Sequence, residues 1–237
     1  MRLLEHLWVL AVDLVRAAVA RRPHQAGVPA PLAAPRLELP AGLVQPDRTT
    51  CGSACLVVAR MIGDRDYATW LESGEVAGRT RDPRPRRRRF ADEVLATHVR
   101  TNRWYAASGA PQVGWPRALG TAPWALAHEL TATGGTSAPG TRHRVRTVSP
   151  RRRGEAYDAV ACAAALGHVV PLYVGNRLLP RHVVLVVGGD DAALTAYDPA
   201  SGGHVTITRD SFERGGLRVA GWSEPWLAVL PAGRTAH

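Results

Sequence analysis

Gln45-Pro46-Asp47-Arg48-Thr49-Thr50-Cys51-Gly52-Ser53-Ala54-Cys55 is the stretch on which the reading of this chain turns. A Gln stands six residues before a Cys-Gly-small-Ala turn, and an apolar run follows it: Leu56, Val57, Val58, Ala59, Met61, Ile62. This is the pattern of a loop that delivers a thiol to the first turn of a buried helix. The free N–H groups and the dipole at a helix start favour a thiolate there. Gln45 lies where its side-chain NH₂ could stand beside that sulfur, at the place an oxyanion would form.

A nucleophilic thiol needs a base, and a candidate lies far downstream. His182 opens Val183-Val-Leu-Val-Val187-Gly-Gly, a short apolar run of the buried-strand type. Asp190-Asp191 then signals a turn. Leu194-Thr-Ala-Tyr197 reads as a second strand, ending in Asp198-Pro-Ala-Ser-Gly202. The two strands are expected to form a hairpin. His182 begins one and Asp198 closes the next, so both fall at one end of the sheet. A base and its orienting carboxylate need that placement: the carboxylate holds one ring nitrogen so that the other faces the thiol.

In the order Gln45, Cys51-Gly52, His182 and Asp198-Pro199, the chain resembles the C39-type (bacteriocin-processing-type) cysteine peptidases of the papain-like superfamily, and most of all their stand-alone bacterial branch. The resemblance covers residues 43–230 and is best at the two ends of that span. It implies Cys51 as nucleophile, His182 as general base, Asp198 as orienter and Gln45 as oxyanion-hole donor, with no cofactor and no metal. It implies a peptide or protein substrate. The chain departs from the bacteriocin-processing members at Thr50, where they commonly carry Asp. The sequence shows no ATP-binding cassette and no long membrane domain, so the exporter-coupled form is not expected. Two other readings stay open: a non-catalytic C39-like module that holds a peptide, and a thiol acyltransferase.

The 237 residues suit one domain with a short N-terminal appendage. The expected division is residues 1–40, an amphipathic helix and a Pro/Ala-rich linker, and 41–237, the peptidase domain. In the N-terminal helix Leu4, Leu7, Trp8, Ala11, Leu14, Val15 and Ala18 share a stripe interrupted by Glu5, His6 and Asp13. That is too short and too charged for a membrane span. It reads as a packing or partner-binding helix, with a membrane-surface helix and a signal peptide as the lesser readings, and a cytoplasmic location is expected, with a secreted or membrane-peripheral one as the alternatives.

The net charge is +10, and since the chain has no Lys the basic residues are all Arg. Abundant Ala, Gly, Pro and Arg are the bias of GC-rich codons, which weakens a functional reading of the charge. The clusters at 79–89 (RTRDPRPRRRR) and 142–153 are expected to be solvated loops, with attraction of an acidic peptide substrate or an anionic surface as the lesser reading. They carry no interleaved aromatics, so no specific nucleic-acid binding is expected. Three Cys without paired spacing make no disulfide framework, and no Cys-x-x-Cys or His-Glu-x-x-His suggests a metal. Cys55 and Cys162 read as small buried residues. His143, His168 and His204 read as surface or packing residues, and a set of tryptophans (Trp104, Trp115, Trp124, Trp222, Trp226) as core anchors or as the lining of a groove.

Helical patterns fall at 51–63, 67–72, 90–100 (Phe90, Val94, Leu95 and Val99 on one face), 125–130 and 155–166, the last closed by Gly167. Strand patterns fall at 169–174, 182–187, 194–197, 204–208 and 226–230, with 131–153 a long exposed loop between. A helical first half and an antiparallel second half make an α+β, papain-like fold, with the Cys on a helix and the His and Asp on the sheet.

Overall fold

In the computed structural model the described residues are 42–103, 105, 112, 115, 120–133, 135–137 and 141–232. The expected N-terminal helix and linker, and Trp104, lie outside them. Cys51–Gly63 (α1), Arg65–Ser73 (α2), Arg86–Thr101 (α3) and Pro123–Thr133 (α4) come first. Then follow Arg142–Thr147 (β1), Arg153–Ala165 (α5), Val170–Gly175 (β2), Pro180–Gly189 (β3), Ala193–Asp198 (β4), Gly203–Thr208 (β5), Arg209–Arg214 (α6) and Glu224–Ala232 (β6). The six strands form one antiparallel sheet in the order β1-β6-β2-β3-β4-β5. The fold is the expected α+β arrangement, with Cys51 on a helix and His182 and Asp198 on the sheet. Among the described residues no helix is long and apolar enough to cross a membrane.

Side chains alternate across the central strands and feed two cores. Tyr173, Val183, Leu185, Tyr197, Leu227 and Val229 pack with α1 and its neighbouring helices on one face. Leu172, Val174, Val184, Val186, Ala196 and Ala228 pack with α5 and α6 on the other. This double burial explains why β2 and β3 read as continuous apolar runs rather than alternating ones. It also separates two tryptophans: Trp226 packs against the first core and Trp222 against the second, so they do not line one groove.

Helix α1 is buried on every side from Cys51 to Ala59, as an apolar helix with no polar face must be. Helix α5 ends as expected. Gly167 takes a left-handed φ of 79°, its N–H bonds Ala164 O, and His168 N–H bonds Ala163 O, the paired bonds of a Schellman close.

Four expectations need correction. First, Arg86 to Arg89 are not loop but the first turn of α3, entered through extended Pro85. Arg is a good helix former, and Arg89 turns inward. The residue is 4% exposed, and its guanidinium donates to the carbonyls of Leu71, Glu72, Asp82 and Arg84, covering the C-terminal carbonyls of α2. Second, the buried face of α3 is Phe90, Val94, Thr97 and Thr101, while Leu95 and Val99 are exposed. The buried set follows the helical period, and the two aliphatics stand one residue round from it. Third, the loop expected at 131–153 contains strand β1, whose Arg residues alternate with His143, Val145 and Thr147, only one of them aliphatic, so the apolar signal of a strand is weak. Fourth, Cys162 is exposed on α5, not buried.

Candidate active site

Strands β3 and β4 form the hairpin read from the sequence, with Leu185 opposite Tyr197. His182 and Asp198 therefore meet at its end: His182 Nε2 donates to Asp198 Oδ1 at 2.7 Å, and both residues are buried. The other ring nitrogen is left for the Cys51 side chain, which is in hydrogen-bond contact with His182. Burial pulls the His182 pKa down, but the Asp198 hydrogen bond, the Cys51 contact and the charges of both outweigh it, and His182 is raised to about 9. Burial alone would raise the Asp198 carboxyl, yet the hydrogen bonds of His182 and Ala200 and the His182 charge hold it below its ordinary range.

The turn after Asp198 holds that carboxylate from the other side. Oδ1 also accepts the Ala200 N–H at 3.0 Å, and Oδ2 accepts the Ser201 hydroxyl at 3.2 Å. Gly202 closes the turn with φ 67°, where a Cβ would lie 2.8 Å from Val44 Cγ2. Thus Asp-Pro-Ala-Ser-Gly is more than a turn signal. Its Ser steadies the carboxylate and its Gly lets the 42–45 segment lie against it.

That segment carries Gln45. Gly42 N–H bonds Gly202 O, Gln45 N–H bonds Pro199 O at 2.9 Å, and the Tyr197 hydroxyl donates to Leu43 O. The loop before Cys51 and the turn after Asp198 are tied into one unit. The Gln45 side chain donates through Nε2 to Asp47 O at 2.7 Å and makes no hydrogen bond to Cys51. One Nε2 hydrogen remains.

Cys51 is the first residue of α1. Thr50, at the N-cap position, makes no side-chain cap and instead donates its hydroxyl to Asp47 O. No acidic residue lies in the first turn, so no carboxylate competes for the positive end of the helix. Cys55, one turn on, is fully buried. Its burial, with the neighbouring Cys51 and Asp198, pushes its thiol well above the ordinary range.

The segment at Gly120 and Thr121 walls the thiol on another side. A Cβ on Gly120 would stand 3.9 Å from Cys51 Sγ and 3.0 Å from Thr49 O, and Gly120 has φ 78°. A Cβ on Gly52 would stand 2.8 Å from Thr121 Cβ, so the Gly of Cys-Gly is what lets this wall approach the helix. The Tyr173 hydroxyl donates to Thr121 O at 2.8 Å, and Ser53 Oγ lies 3.0 Å from Thr121 Oγ1.

Of the four residues singled out in the sequence, three are therefore together: Cys51, His182 and Asp198. Gln45 is in the adjoining loop with its amide turned to Asp47. Sequence reading missed Ser201, Tyr173 and the Gly120–Thr121 wall. Ser201 had a signal in its place within the Asp198 turn, while the wall had none. His143 and His168, read as surface or packing residues, are buried and share Ser137: its Oγ is 3.3 Å from His143 Nε2 and 2.9 Å from His168 Nδ1. Among the described residues no cluster of three or more His, Cys, Asp or Glu could hold a metal.

No family model matches the chain, and no curated protein matches it. Among solved structures it is similar to a double glycine motif protease from an AMS/PCAT transporter in complex with the leader peptide, with 14% identity over 87% of this chain and 99% of that one and a TM-score of 0.44. It is also similar to the peptidase domain of Streptococcus ComA, a bi-functional ABC transporter, with 14% identity over 82% of this chain and 98% of that one and a TM-score of 0.39. At such distance the site is read from its own geometry.

Proposed function

We propose that the protein is a thiol-dependent peptidase of the C39-like kind, with Cys51 as nucleophile, His182 as proton carrier and Asp198 as orienter. One observation carries this reading: a Cys at an uncapped helix start touches a buried His whose far nitrogen is held 2.7 Å from a buried carboxylate. That is the nucleophile, base and orienter arrangement of covalent acyl transfer. The order of Gln45, Cys51-Gly52, His182 and Asp198-Pro199 along the chain supports the C39-like assignment.

With its pKa near 9, His182 is an imidazolium at neutral pH and is placed to hold the proton that the attacking Cys51 gives up. The thiolate attacks the scissile carbonyl carbon and the π electrons move to oxygen. The Cys51 N–H, at the helix start, and the remaining Nε2 hydrogen of Gln45 are the donors for that oxyanion. His182 passes its proton to the leaving amine as the C–N bond breaks, which leaves a thioester on Cys51. Neutral His182 then takes a proton from water, the hydroxide attacks the thioester, and the acid product departs as the thiol is released. Asp198, with Ser201 and the Ala200 N–H behind it, keeps the imidazole in one tautomer and one orientation throughout.

The test is reactivity. Limited iodoacetamide at about pH 6 should modify Cys51 first, and the rate at Cys51 should collapse in His182→Ala. Exposed Cys162 serves as the internal reference: its rate should be slow at that pH and indifferent to His182. Equal rates at Cys51 and Cys162, or a Cys51 rate unchanged in His182→Ala, would overturn the assignment.

A further inference from the structure

Strand β1 stands at one end of the sheet, three places from the strand that carries His182. Its inner edge is bonded to β6. Val148 N–H donates to Trp226 O, and the antiparallel register sets Arg142, Arg144 and Arg146 opposite Ala232, Leu230 and Ala228. Bonded pairs alternate along an antiparallel ladder. Counting back from Val148, the even-numbered residues direct their N–H and C=O groups at β6, and the odd-numbered ones direct theirs outward. His143 bears this out, since its N–H leaves the sheet for Thr131 Oγ1. Val145 and Thr147 therefore present backbone donors and acceptors along an edge that pairs with no other strand among the described residues.

The side chains on this strand are as ordered as its backbone. His143 and Val145 turn to the helix-side core, with His143 buried and Val145 packed against it. Arg142, Arg144 and Arg146 share the other face and are all exposed. They repeat every second residue, about 7 Å apart. Their cross-strand neighbours on β6 are Ala and Leu, and none of the three is in an ion pair among the described residues. Among the described residues these three like charges have no ion-pair partner, and beyond the His143 N–H held by Thr131 the outward backbone groups of β1 have no strand to pair with.

We propose that the β1 edge is a docking site for an extended acidic peptide segment, which adds to the sheet as a seventh strand. The peptide backbone would pair with the outward N–H and C=O groups of Val145 and Thr147. Carboxylates at alternate positions would fall beside Arg142, Arg144 and Arg146, the spacing at which cross-strand charge pairs form. A second copy of this chain does not fit. Antiparallel pairing of two β1 edges would set one Arg row against the other, and like charges directly opposite destabilise a sheet. The site is independent of Cys51 and would stand whether or not the thiol is catalytic.

The experiment is fluorescence anisotropy of the whole protein with a short labelled peptide that carries Glu at every second position. It should bind at physiological ionic strength. A peptide of the same composition with its Glu residues adjacent, and one N-methylated at the amides that would face β1, should each bind at least about tenfold more weakly. Arg144→Glu should weaken the alternating peptide by about tenfold or more, the scale of one like-charge juxtaposition, and should leave labelling of Cys51 unchanged. Two results would overturn the proposal. Equal binding of the alternating, adjacent and N-methylated peptides would mean diffuse attraction of any polyanion. No binding even at low salt would mean that the Arg row only guards the edge against other strands.

Discussion

At the scale of single residues, the His182–Asp198 contact governs how the site responds to pH. The carboxylate raises His182 through both its hydrogen bond and its charge, and it does so against burial. Asp198→Asn keeps an acceptor in place but removes the charge. The alkaline limb of the kcat/KM profile, set by loss of the imidazolium proton near pH 9, should then move to lower pH while measurable activity remains at neutrality. Asp198→Ala should lose more, and Cys51→Ala or His182→Ala essentially all. The order carries the meaning, because residues acting as a unit are not additive. Full pH profiles of the four variants, with folding checked by circular dichroism, decide it. An alkaline limb unmoved in Asp198→Asn would show that the charge of Asp198 plays no part in holding the proton.

Among the elements, the contact that shapes the site is between the start of α1 and the Gly120–Thr121 segment. A glycine inside a helix usually costs stability, and Ala in its place is favoured by about 0.5–1 kcal/mol. Gly52 should break that rule. Its missing Cβ would be 2.8 Å from Thr121 Cβ, a β-branched side chain anchored by the Tyr173 hydroxyl on its carbonyl, so Gly52→Ala must push the wall away from Cys51. A fall in kcat/KM of about tenfold or more is expected, with circular dichroism still showing a folded chain. Gly188→Ala is the control, since nothing lies within 4 Å of its Cβ position, and it should leave the kinetics as they are. Equal kinetics for the two variants would show that the wall has no part in the reaction.

For the whole molecule, two buried histidines pull stability in opposite directions with pH. Burial, helped by His168, lowers His143 to about 4. A group depressed in the folded state contributes stability above its unfolded pKa of about 6.5, and that contribution fades as pH falls toward 4. His182 is raised to about 9, so its contribution is complete below about 6.5 and fades as pH climbs toward 9. Each shift corresponds to about 3 kcal/mol, so stability should peak between about pH 6 and 7. Urea unfolding across pH should show the dome, with the acid limb flattened in His143→Gln and the alkaline limb in His182→Gln. Stability that stayed level from pH 7 to about 5.5, a span in which ordinary carboxylates remain ionised, would contradict the burial assigned to His143.

The sequence by itself determined the class of the fold and the meeting of three of the four candidate site residues. Cys51 at the head of an apolar run, and His182 and Asp198 at the ends of two strands joined by a short turn, are local patterns. The turn returns the chain to the same end of the sheet, so the nearness of His and Asp could be read without knowing the rest, although a bulge between Val186 and Gly188 shifts the register by one residue. The strands of the central sheet were equally legible, because burial on both faces leaves unbroken apolar runs. Only the tertiary structure decided what depends on neighbours distant in sequence. It set Thr121 against Gly52 and tied Leu43 to Tyr197. It turned Arg89 inward onto the end of α2 while Arg87 and Arg88 stayed in water. It also made a strand of Arg142–Thr147, which lacks the apolar run that marks the central strands. These arrangements rest on which surfaces meet when the helices close over the sheet, and no short window of sequence holds both partners of such a contact.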